Sequence, residues 1–488
     1  MRIRSCVLVG ALVCPLALLT TVHAQPPDEA AMFARIKEEG LQRSTAPAMF
    51  ETLTDEIGPR LTGSPAHKRA AEWARDRLTA IGLANAHLEP WKFGRGWVLD
   101  RLVVEMVEPR YIPLIGYAEA WSPSTSGEIV AAPVFIGDKS PDEIAAMRDR
   151  LTGAIVMTAP QATFLREDRP QPTASEAPVR IGAPRNPGPR RSRDEARAIA
   201  QTLHDAGAAV LVRTSAGEHG TVFVLGRDQG EGASPSIVLA GEHYNLIARM
   251  LARNIPVKLR VNVQAHFVTD DPNTYNVVAE LPGTDPALKD QVVMIGAHLD
   301  SWHSAQGASD NADGIASAIE ALRILKAVGA QPRRTIRVAL WSGEEEGLLG
   351  SKAYVQQHLE GDANRPARDR LFVYFNLDPG TGPIYGWYLE ETPAIAPLFD
   401  RWLEPLKAIG ARRNVMQGIG STDHLSFRAA GIPGFNPIQD YTNYDTRTHH
   451  TNVDTFERVR EDDLKECAIV LAWFAWQAAN TDQAIPRP

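Results

Sequence analysis

The sequence predicts an α/β protein whose mostly parallel central sheet is flanked by helices, with a smaller α+β unit inserted into it. Two apolar runs of strand length, Val292–Ala297 and Thr335–Trp341, are rich in β-branched residues. Each run is followed by a polar turn and a helical pattern, and this β-α-β-α order is typical of parallel strands. Acids and a histidine follow these runs, at the sheet edge where open α/β sheets bind ligands.

Length and charge restrict the class of protein. The chain has 488 residues, which corresponds to roughly two to four domains. Its hydrophobic content of 44% and charged content of 23% are ordinary for a globular protein. The formal net charge is −8. Because nucleic-acid binding requires a basic face, this charge argues against a nucleic-acid partner.

Residues 1–24 have the pattern of a signal peptide. Arg2 and Arg4 precede an apolar run, Cys6–Leu19, and Val22-His23-Ala24 forms a small-residue cleavage site before Gln25. The run is too short for a membrane span. We therefore expect an exported protein, periplasmic or secreted, without a membrane span once the signal is removed.

Cysteine usage excludes two kinds of site. Of the three cysteines, Cys6 and Cys14 lie in the signal, so the exported protein keeps only Cys467. One thiol can form neither an internal disulfide nor a multi-thiol zinc site. Any metal must therefore be held mainly by His, Asp and Glu.

The first part of the main domain, residues 25–117, is predicted to contain helices followed by strands. The clearest helix is Pro65–Ile81, in which apolar residues recur at helical spacing before Gly82 ends the pattern. The other predicted elements are the helices Ala30–Gly40 and Met49–Ile57 and the strands Ala86–Trp91 and Leu99–Met106.

Residues 118–265 are predicted to form the inserted unit. They contain short β-like runs and two helical patterns, Ser192–Ala206 and Gly241–Ala252. The Pro- and Arg-rich stretch Asp168–Arg191 lacks any period, as in lids, binding loops or disordered segments. The predicted strands are Gly127–Pro133, Ala154–Thr158, Ala208–Arg213, Ser236–Ala240 and Val257–Val263.

Residues 266–488 resume the main domain and contain the central stretch. A helix beginning near Gly314 has one apolar face. The remaining predictions are strands at Asn276–Gly283, Leu371–Leu377 and Gly431–Asn436, helices at Pro397–Ile409 and Asp462–Asn480, and loops at Gly418–Phe427 and Thr448–Phe456.

The first candidate residues follow the first central strand. His298 and Asp300 fit a metal ligand and the acid that orients it, because a bound imidazole usually donates its second N–H to a carboxylate. The alternative is a surface turn. Asp310 precedes the helix and could be a helix cap. Asp313 is better placed for that purpose, which leaves Asp310 to face the crevice.

The second group follows the next two strands. Glu344, Glu345 and Glu346 are predicted to open a helix, where acids complement the helix dipole, and this is the interpretation for Glu346. Three adjacent carboxylates repel unless protons or cations share them, so the other two can divide metal binding and proton transfer. Asp378 is either a turn former or a ligand. His449-His450 lies in a polar loop, where a histidine is more often structural.

The combination is more specific than any single residue. Five metal-compatible residues occur in the order His, Asp, Glu, Asp, His, four of them at or just beyond strand ends of one sheet. Two histidines and three carboxylates suit a pair of Zn²⁺ ions with a shared carboxylate between them. Two such ions, about 3.5–4 Å apart, serve hydrolases by activating water and polarising a carbonyl.

At these residues the chain resembles the co-catalytic zinc exopeptidases, a family that includes bacterial leucyl-type aminopeptidases and glutamate carboxypeptidase II. The matching segments are GAHLDSW, GASDNADG, WSGEEEGLLGS, NLDPG and HHTNVDT, from Gly296 to Thr455. The resemblance implies the zinc exopeptidase fold, a protease-associated-like inserted domain and two zinc ions per chain. It also implies a small peptide substrate and a homodimer.

The resemblance also implies roles for individual residues. Asp300 would orient His298, Glu344 would be the general base acting on a water shared by the ions, and Asp454 would brace the loop of His450. It further implies a cis peptide between Asp310 and Asn311. The implied zinc ligands are His298, Glu345, Asp378 and His450, with Asp310 bridging.

Several alternatives stay open. A glutaminyl cyclase uses the same fold and a comparable Glu pair, and a binding protein could use the fold without activity. Aminopeptidase, dipeptidase and carboxypeptidase activity differ in which peptide terminus the pocket holds. The candidates for a basic cluster that would hold an acidic C-terminal residue of the substrate are Arg412, Arg413 and Arg447. The loop containing Asp423 and His424 either shapes the substrate pocket or is structural.

Overall fold

The computed structural model describes residues 29–165, 192–230, 232–378, 380–441 and 443–488. The predicted signal peptide and the predicted loop Asp168–Arg191 lie outside these residues. In the described part of the chain, no helix combines the length and hydropathy that crossing a membrane requires.

The helices agree closely with the sequence patterns where apolar periodicity is strong. Helix Pro65–Ile81 begins after Ser64, whose side chain accepts a hydrogen bond from the His67 N–H, and ends before Gly82 in a left-handed conformation. In chain order the helices are α1 (Glu29–Gln42), α2 (Ala46–Glu51), α3 (Pro65–Ile81), α4 (Pro141–Ala145), α5 (Arg148–Leu151), α6 (Arg193–Asp205), α7 (Gly241–Ala252), α8 (Asp313–Ala327), α9 (Leu349–His358), α10 (Arg365–Arg370), α11 (Ala396–Leu403), α12 (His424–Ala429) and α13 (Glu461–Asn480).

The strands form three larger sheets and one small pair. In chain order they are β1 (Ala84–Lys92), β2 (Gly96–Glu108), β3 (Ile112–Pro113), β4 (Gly116–Ala118), β5 (Ile129–Ala131), β6 (Pro133–Phe135), β7 (Ile155–Met157), β8 (Val210–Thr214), β9 (Ser236–Leu239), β10 (Lys258–Val268), β11 (Asn273–Leu281), β12 (Val292–His298), β13 (Thr335–Trp341), β14 (Leu371–Asn376), β15 (Thr381–Trp387), β16 (Gly434–Phe435) and β17 (Pro437–Asp440).

The central sheet has the order β1-β11-β13-β12-β14-β16. Strand β12 pairs in parallel with both β13 and β14, and β14 pairs in parallel with β16, whereas β11 is antiparallel to β1 and to β13. The prediction of a mostly parallel α/β sheet is therefore confirmed. His298 lies opposite Trp341 in the register, so the segments that follow β12 and β13 emerge side by side.

The main core lies between this sheet and its helices. Helices α8 and α13 contribute Ile315, Ile319, Ile469 and Leu471, all fully buried, to the same apolar cluster as Val293 and other strand residues. Burial of such apolar area is the dominant stabilising contribution, about 25 cal/mol per Å². The resulting packing holds the sheet edge that carries the candidate site.

Two further sheets pack on a second core. One has the order β3-β2-β10-β5 and the other β4-β9-β8-β7-β6. Their inward residues, among them Met106, Ile155, Val212 and Leu259, form a common cluster. The cluster also contains Trp302, which lies between β12 and α8 in the sequence, so this second core reaches the candidate site. The limits of the inserted unit, 118–265, stay a prediction.

Two local predictions were wrong, and two strands were missed. The three glutamates do not open a helix: α9 begins only at Leu349, because Gly347 (φ 120°) and Leu348 (φ 62°) interrupt the chain. The predicted loop Gly418–Phe427 contains the start of α12. Strands β15 and β17 were not predicted, since their Gly- and Pro-containing sequences lack a strand pattern.

Candidate active site

The predicted site residues meet at the carboxyl ends of the parallel strands. His298 is the last residue of β12, Glu344 and Glu345 follow β13, and Asp378 lies two residues after β14. His450 comes from the loop between β17 and α13. The strand ends bring together side chains that are more than a hundred residues apart in the sequence.

Asp310 lies between the two histidines. Its Oδ1 is 3.1 Å from His298 Nε2, and its Oδ2 is 3.5 Å from His450 Nε2. On one side, His298 Nε2 is also 3.6 Å from Asp378 Oδ1. On the other side, His450 Nε2 is 2.8 Å from Glu345 Oε2. The carboxylate of Asp310 therefore joins two half-sites, each made of one histidine and one further acid.

Burial sets the protonation of these acids. It raises the pKa of Glu344 well above its ordinary value, and neighbouring Asp378 and Glu345 add to this rise. The pKa of Glu345 is raised in the same way, by burial and by the charge of Asp310. Burial opposes the charged form of His298, but the surrounding carboxylates, Asp378 first, raise its pKa well above the usual range. Without a cation, the cluster therefore retains protons.

The segment leading to Asp310 is held by neighbours on both sides. Ser309 donates from its N–H and its hydroxyl to Asp454 Oδ1, at 2.8 and 2.7 Å. Asn311 Nδ2 donates to the Leu377 carbonyl at 2.8 Å, just before Asp378. The peptide between Asp310 and Asn311 is cis, as expected. Asp454 therefore braces the Asp310 segment against the loop that carries His450.

Asp300 makes contacts beyond those the sequence suggested. His298 Nδ1 is 3.1 Å from the Asp300 carbonyl and 3.7 Å from its carboxylate Oδ1. The carboxylate accepts hydrogen bonds from the N–H groups of Glu344 and Glu345, both at 3.2 Å, and from the Thr62 hydroxyl at 3.0 Å. Asp300 therefore holds the glutamate turn as well as lying beside the histidine ring.

Glu344 lies in the half-site of His298. Ligand atoms of His298, Glu344 and Asp378 all lie within 4.8 Å of one another. The turn is closed by hydrogen bonds of 2.8 Å from the Gly347 and Leu348 N–H groups to the Glu344 carbonyl. This turn aims Glu344 and Glu345 at different half-sites, because Glu345 contacts His450 instead.

Trp302 is a site residue that the sequence analysis did not identify. Its indole N–H donates to Glu345 Oε2 at 2.8 Å, and its ring meets the His450 ring edge-on at 6.1 Å. Glu345 is thereby oriented toward His450. A tryptophan after the His-x-Asp pattern carries no local signal for this role, although buried indoles usually find an acceptor.

His449 also lies close to the site. Its ring stacks on Tyr444 at 4.9 Å and lies 3.6 Å from the His450 ring. Ligand atoms of Asp310, His449 and His450 fall within 4.8 Å of one another. Distances alone therefore admit either histidine, but it is His450 that contacts Glu345.

The other candidate residues have partners of their own. Arg412 lies over the Tyr385 ring at 4.1 Å, and Arg447 Nη2 is 3.6 Å from Glu218 Oε2. Buried His424 has Nε2 3.2 Å from Glu390 Oε1. Burial raises the pKa of its neighbour Asp423 to about 7. The structure therefore packs the loop of Asp423 and His424 tightly.

The donor set fits two divalent cations. Each half-site offers imidazole and carboxylate donors, which zinc prefers in the absence of thiols. Asp310 Oδ2 and Glu345 Oε1 are buried and make no hydrogen bond to any described residue. Buried carboxylate oxygens without a donor carry a desolvation cost, which cations placed between the histidines and these acids would offset.

Comparison with known proteins gives related sequences and folds. The Peptidase family M28 model matches residues 276–475. Carboxypeptidase Q of Bos taurus is 26% identical over 438 residues, covering 89% of this chain and 85% of that protein. Carboxypeptidase Q of Homo sapiens is 25% identical over 438 residues, which also cover 89% of this chain and 85% of that protein.

Solved structures show the same architecture. A Peptidase M28 precursor from Shewanella amazonensis SB2B is 26% identical, with a TM-score of 0.70 over 94% of this chain and 99% of that one. BSAP, a zinc aminopeptidase from Bacillus subtilis, is 19% identical, with a TM-score of 0.59 over 90% of this chain and 96% of that one. At 19% identity, the similarity to BSAP shows a common fold and no more.

Proposed function

We propose that this chain, whose residues 276–475 match the Peptidase family M28 model, is a zinc-dependent exopeptidase that hydrolyses small peptides. One observation carries the proposal: the Asp310 carboxylate lies between two histidines, 3.1 and 3.5 Å from their Nε2 atoms, with a further acid beside each. Glu344 stands in one of these half-sites. This is the arrangement that a hydrolase with two metal ions needs.

Five residues are proposed to hold two zinc ions. His298 and Asp378 serve one ion, Glu345 and His450 serve the other, and Asp310 serves both. The pairing follows the short distances within each half-site. When bound, the ions supply Lewis acidity that activates water and polarises the carbonyl of the scissile bond. The zinc relatives with this fold support the choice of metal.

Glu344 is proposed to be the general base. Its burial raises its pKa, so its carboxylate can accept a proton from the attacking water and return it to the leaving amine. Asp300 keeps the turn in place through the Glu344 N–H. The water oxygen then bonds to the peptide carbon, the C–N bond breaks, and the amine leaves with the transferred proton.

The substrate class is proposed to be dipeptides and other short peptides with a free terminus. The likeness to carboxypeptidase Q over most of both chains supports an exopeptidase that acts at a peptide terminus, and we propose the amino terminus, by analogy with the zinc aminopeptidase that shares the fold. The test is a cleavage panel of free, N-blocked and C-blocked dipeptides on zinc-loaded protein. Cleavage that requires a free amine is expected; hydrolysis of none of them would overturn the proposal.

Glu344→Gln is expected to lower kcat by at least about 100-fold while two zinc ions stay bound, because the amide cannot accept a proton. The matched control is Glu346→Gln, the same change two residues along, which is expected to keep most of the turnover. Metal content by elemental analysis and turnover of one dipeptide are measured together. Near-normal turnover in Glu344→Gln would refute the base assignment.

We also infer that the chain is exported. The charged start, the apolar run and the Val22-His23-Ala24 cleavage pattern support it. Amino-terminal sequencing of the protein recovered from a bacterial periplasm or culture medium is expected to begin at Gln25. Recovery of the full-length chain in the cytoplasm alone would contradict export.

A further inference from the structure

The loop that carries His450 rests on a segment more than two hundred residues earlier in the chain. Residues 220–224, which follow β8, run alongside residues 450–452. We propose that Asn452 is a positioning residue, which docks the His450 loop on segment 220–224 and thereby sets the affinity of one half-site for its metal. The inference rests on the proposed role of His450 as a zinc ligand.

Asn452 contacts the segment with both its side chain and its backbone. Its Oδ1 accepts a hydrogen bond from the Val222 N–H at 2.7 Å, and its Nδ2 donates to the Gly220 carbonyl at 3.3 Å. Its own N–H donates to the Val222 carbonyl at 3.2 Å. The asparagine therefore satisfies three backbone groups of the segment, as a neighbouring strand would.

The adjacent residues extend this contact to His450. Phe223 and Thr451 form an antiparallel β-bridge. The Val224 N–H donates to the His450 carbonyl at 3.2 Å. The backbone of the proposed metal ligand His450 is thus bonded directly to the segment, two residues away from the anchor at Asn452.

Segment 220–224 is itself held in place by buried side chains and hydrogen bonds. Val222 and Val224 are buried against Val238 and Ala240, at the end of β9. The buried Ser215 hydroxyl donates to the Thr221 carbonyl at 2.8 Å and accepts from the Phe223 N–H at 3.1 Å. A shift of the segment would break these hydrogen bonds and expose both valines. The segment is therefore held in place, and the loop bonded to it is held with it.

His450 needs such support because of its backbone conformation. Its φ is 61°, in the left-handed region that non-glycine residues seldom adopt. Conformations of this kind persist only where surrounding contacts determine them. The bond from Val224 and the anchor at Asn452 supply those contacts, while the imidazole lies 2.8 Å from Glu345. Loss of the anchor would let the imidazole leave that position.

The consequence is an asymmetry between the two half-sites. His298 ends β12 and Asp378 follows β14 of the central sheet, and in the described part of the chain neither forms a hydrogen bond to segment 220–224. His450 depends on it. Disturbing Asn452 should therefore weaken one zinc and spare the other, which a general loss of stability would not do.

The test compares Asn452→Ala with wild type by zinc titration against a competing chelator. We expect one of the two sites to weaken about 10- to 100-fold, the range typical of residues that orient ligands, and the other to change little. The kcat for a dipeptide should fall with zinc at limiting concentration and recover at excess zinc. Asn452→Asp keeps the acceptor for the Val222 N–H and should recover part of the affinity.

The matched control is Asn364→Ala. Asn364 Nδ2 donates to the carbonyls of Gln357 and Glu360, both at 3.0 Å, next to α10. This variant also loses a side chain that bonds two backbone groups, yet both zinc affinities should stay at wild-type values. Equal zinc affinities in wild type and Asn452→Ala, or equal weakening in the two alanine variants, would overturn the positioning role.

A measurement on the unaltered protein covers the case in which Asn452→Ala does not fold. Hydrogen exchange of the Val222 and Val224 amides is expected to slow when zinc is added to the chelated protein, because metal binding fixes the His450 loop against them. Unchanged exchange would overturn the proposal. Failure of the wild type to bind two zinc ions or to cleave any peptide would instead refute the proposed function.

Discussion

Asp310 shows how a single side chain can organise a site at the residue scale. Its two oxygens face two different imidazoles at 3.1 and 3.5 Å. Burial opposes ionisation, but hydrogen bonding and charge from His298, followed by the charge of His450, hold the pKa of Asp310 below its ordinary value. The residue therefore stays charged where Glu344 and Glu345 tend to protonate, which suits a carboxylate shared by two cations.

Asp423 is a buried acid whose charge has a measurable cost. Burial raises its pKa from 3.8 to about 7. The folded protein holds this proton while the unfolded chain releases it, so stability falls as pH rises through that interval. In chelated protein, the free energy of unfolding of wild type should fall between about pH 5 and about pH 8, whereas Asp423→Asn lacks this titration. The difference in unfolding free energy between the variant and wild type should therefore rise over this interval, by at most about 3 kcal/mol.

The gain is measured by urea denaturation at the two pH values. The control is Asp362→Asn, at an exposed position, which should shift stability by less than about 0.5 kcal/mol at either pH. A pH-independent difference between Asp423→Asn and wild type would show that the carboxyl is not protonated in the folded protein.

At the scale of elements, buried Arg60 supports the connection from β12 to α8. Its guanidinium donates to the carbonyls of Leu299, Gln306 and Gly307, each at 2.9 Å. Burial lowers the pKa of Arg60 to about 10, against the charges of Asp454 and other acids, so it stays a cation at neutral pH. The connection between His298 and Asp310 is thus shaped by a side chain from before α3.

Arg60→Lys is expected to destabilise the protein by on the order of 3 kcal/mol and to weaken zinc binding, because an ammonium cannot reach all these carbonyls. Chemical denaturation and zinc titration measure the two effects. Arg43→Lys is the control, since the Arg43 side chain is 55% exposed and should shift stability little. Wild-type stability in Arg60→Lys would contradict the supporting role.

At the scale of the whole molecule, the acid cluster makes stability depend on metal and pH together. Burial raises the pKa of Asp454 to about 7, as it does for Asp423. The proposed ligand Glu345 also has a raised pKa, so it would release its proton when a cation binds. Metal binding and proton release are therefore linked in this protein.

Removing zinc is expected to lower Tm, and to lower it more at about pH 8 than at about pH 5. Asp423 and Asp454, whose pKa values are raised to about 7, bind protons in the folded chain. The stability of the metal-free protein therefore declines as pH rises from the pKa values of these acids in the unfolded chain to about 7. Zinc at about 1,000 times its Kd should restore about 4 kcal/mol per site. Calorimetry with chelator and with zinc checks this; a Tm loss independent of pH would contradict the linkage.

The sequence by itself determined the parallel core and the region of the site. Strand runs such as Thr335–Trp341 and helices such as Pro65–Ile81 have local periodicity, and the structure gives both the same bounds. Residues placed after parallel strands meet at one edge of the sheet, so the sequence alone predicts that His298 and Asp378 lie close together, as they do.

Only the tertiary structure decided how these residues are held. The positive φ of Leu348 delays α9 past the three glutamates, and Trp302 and Asp300 direct the turn. The anchor of Asn452 joins residues 230 positions apart. Contacts of this kind leave no periodic trace in the chain, because they depend on which loops the packed sheets bring side by side.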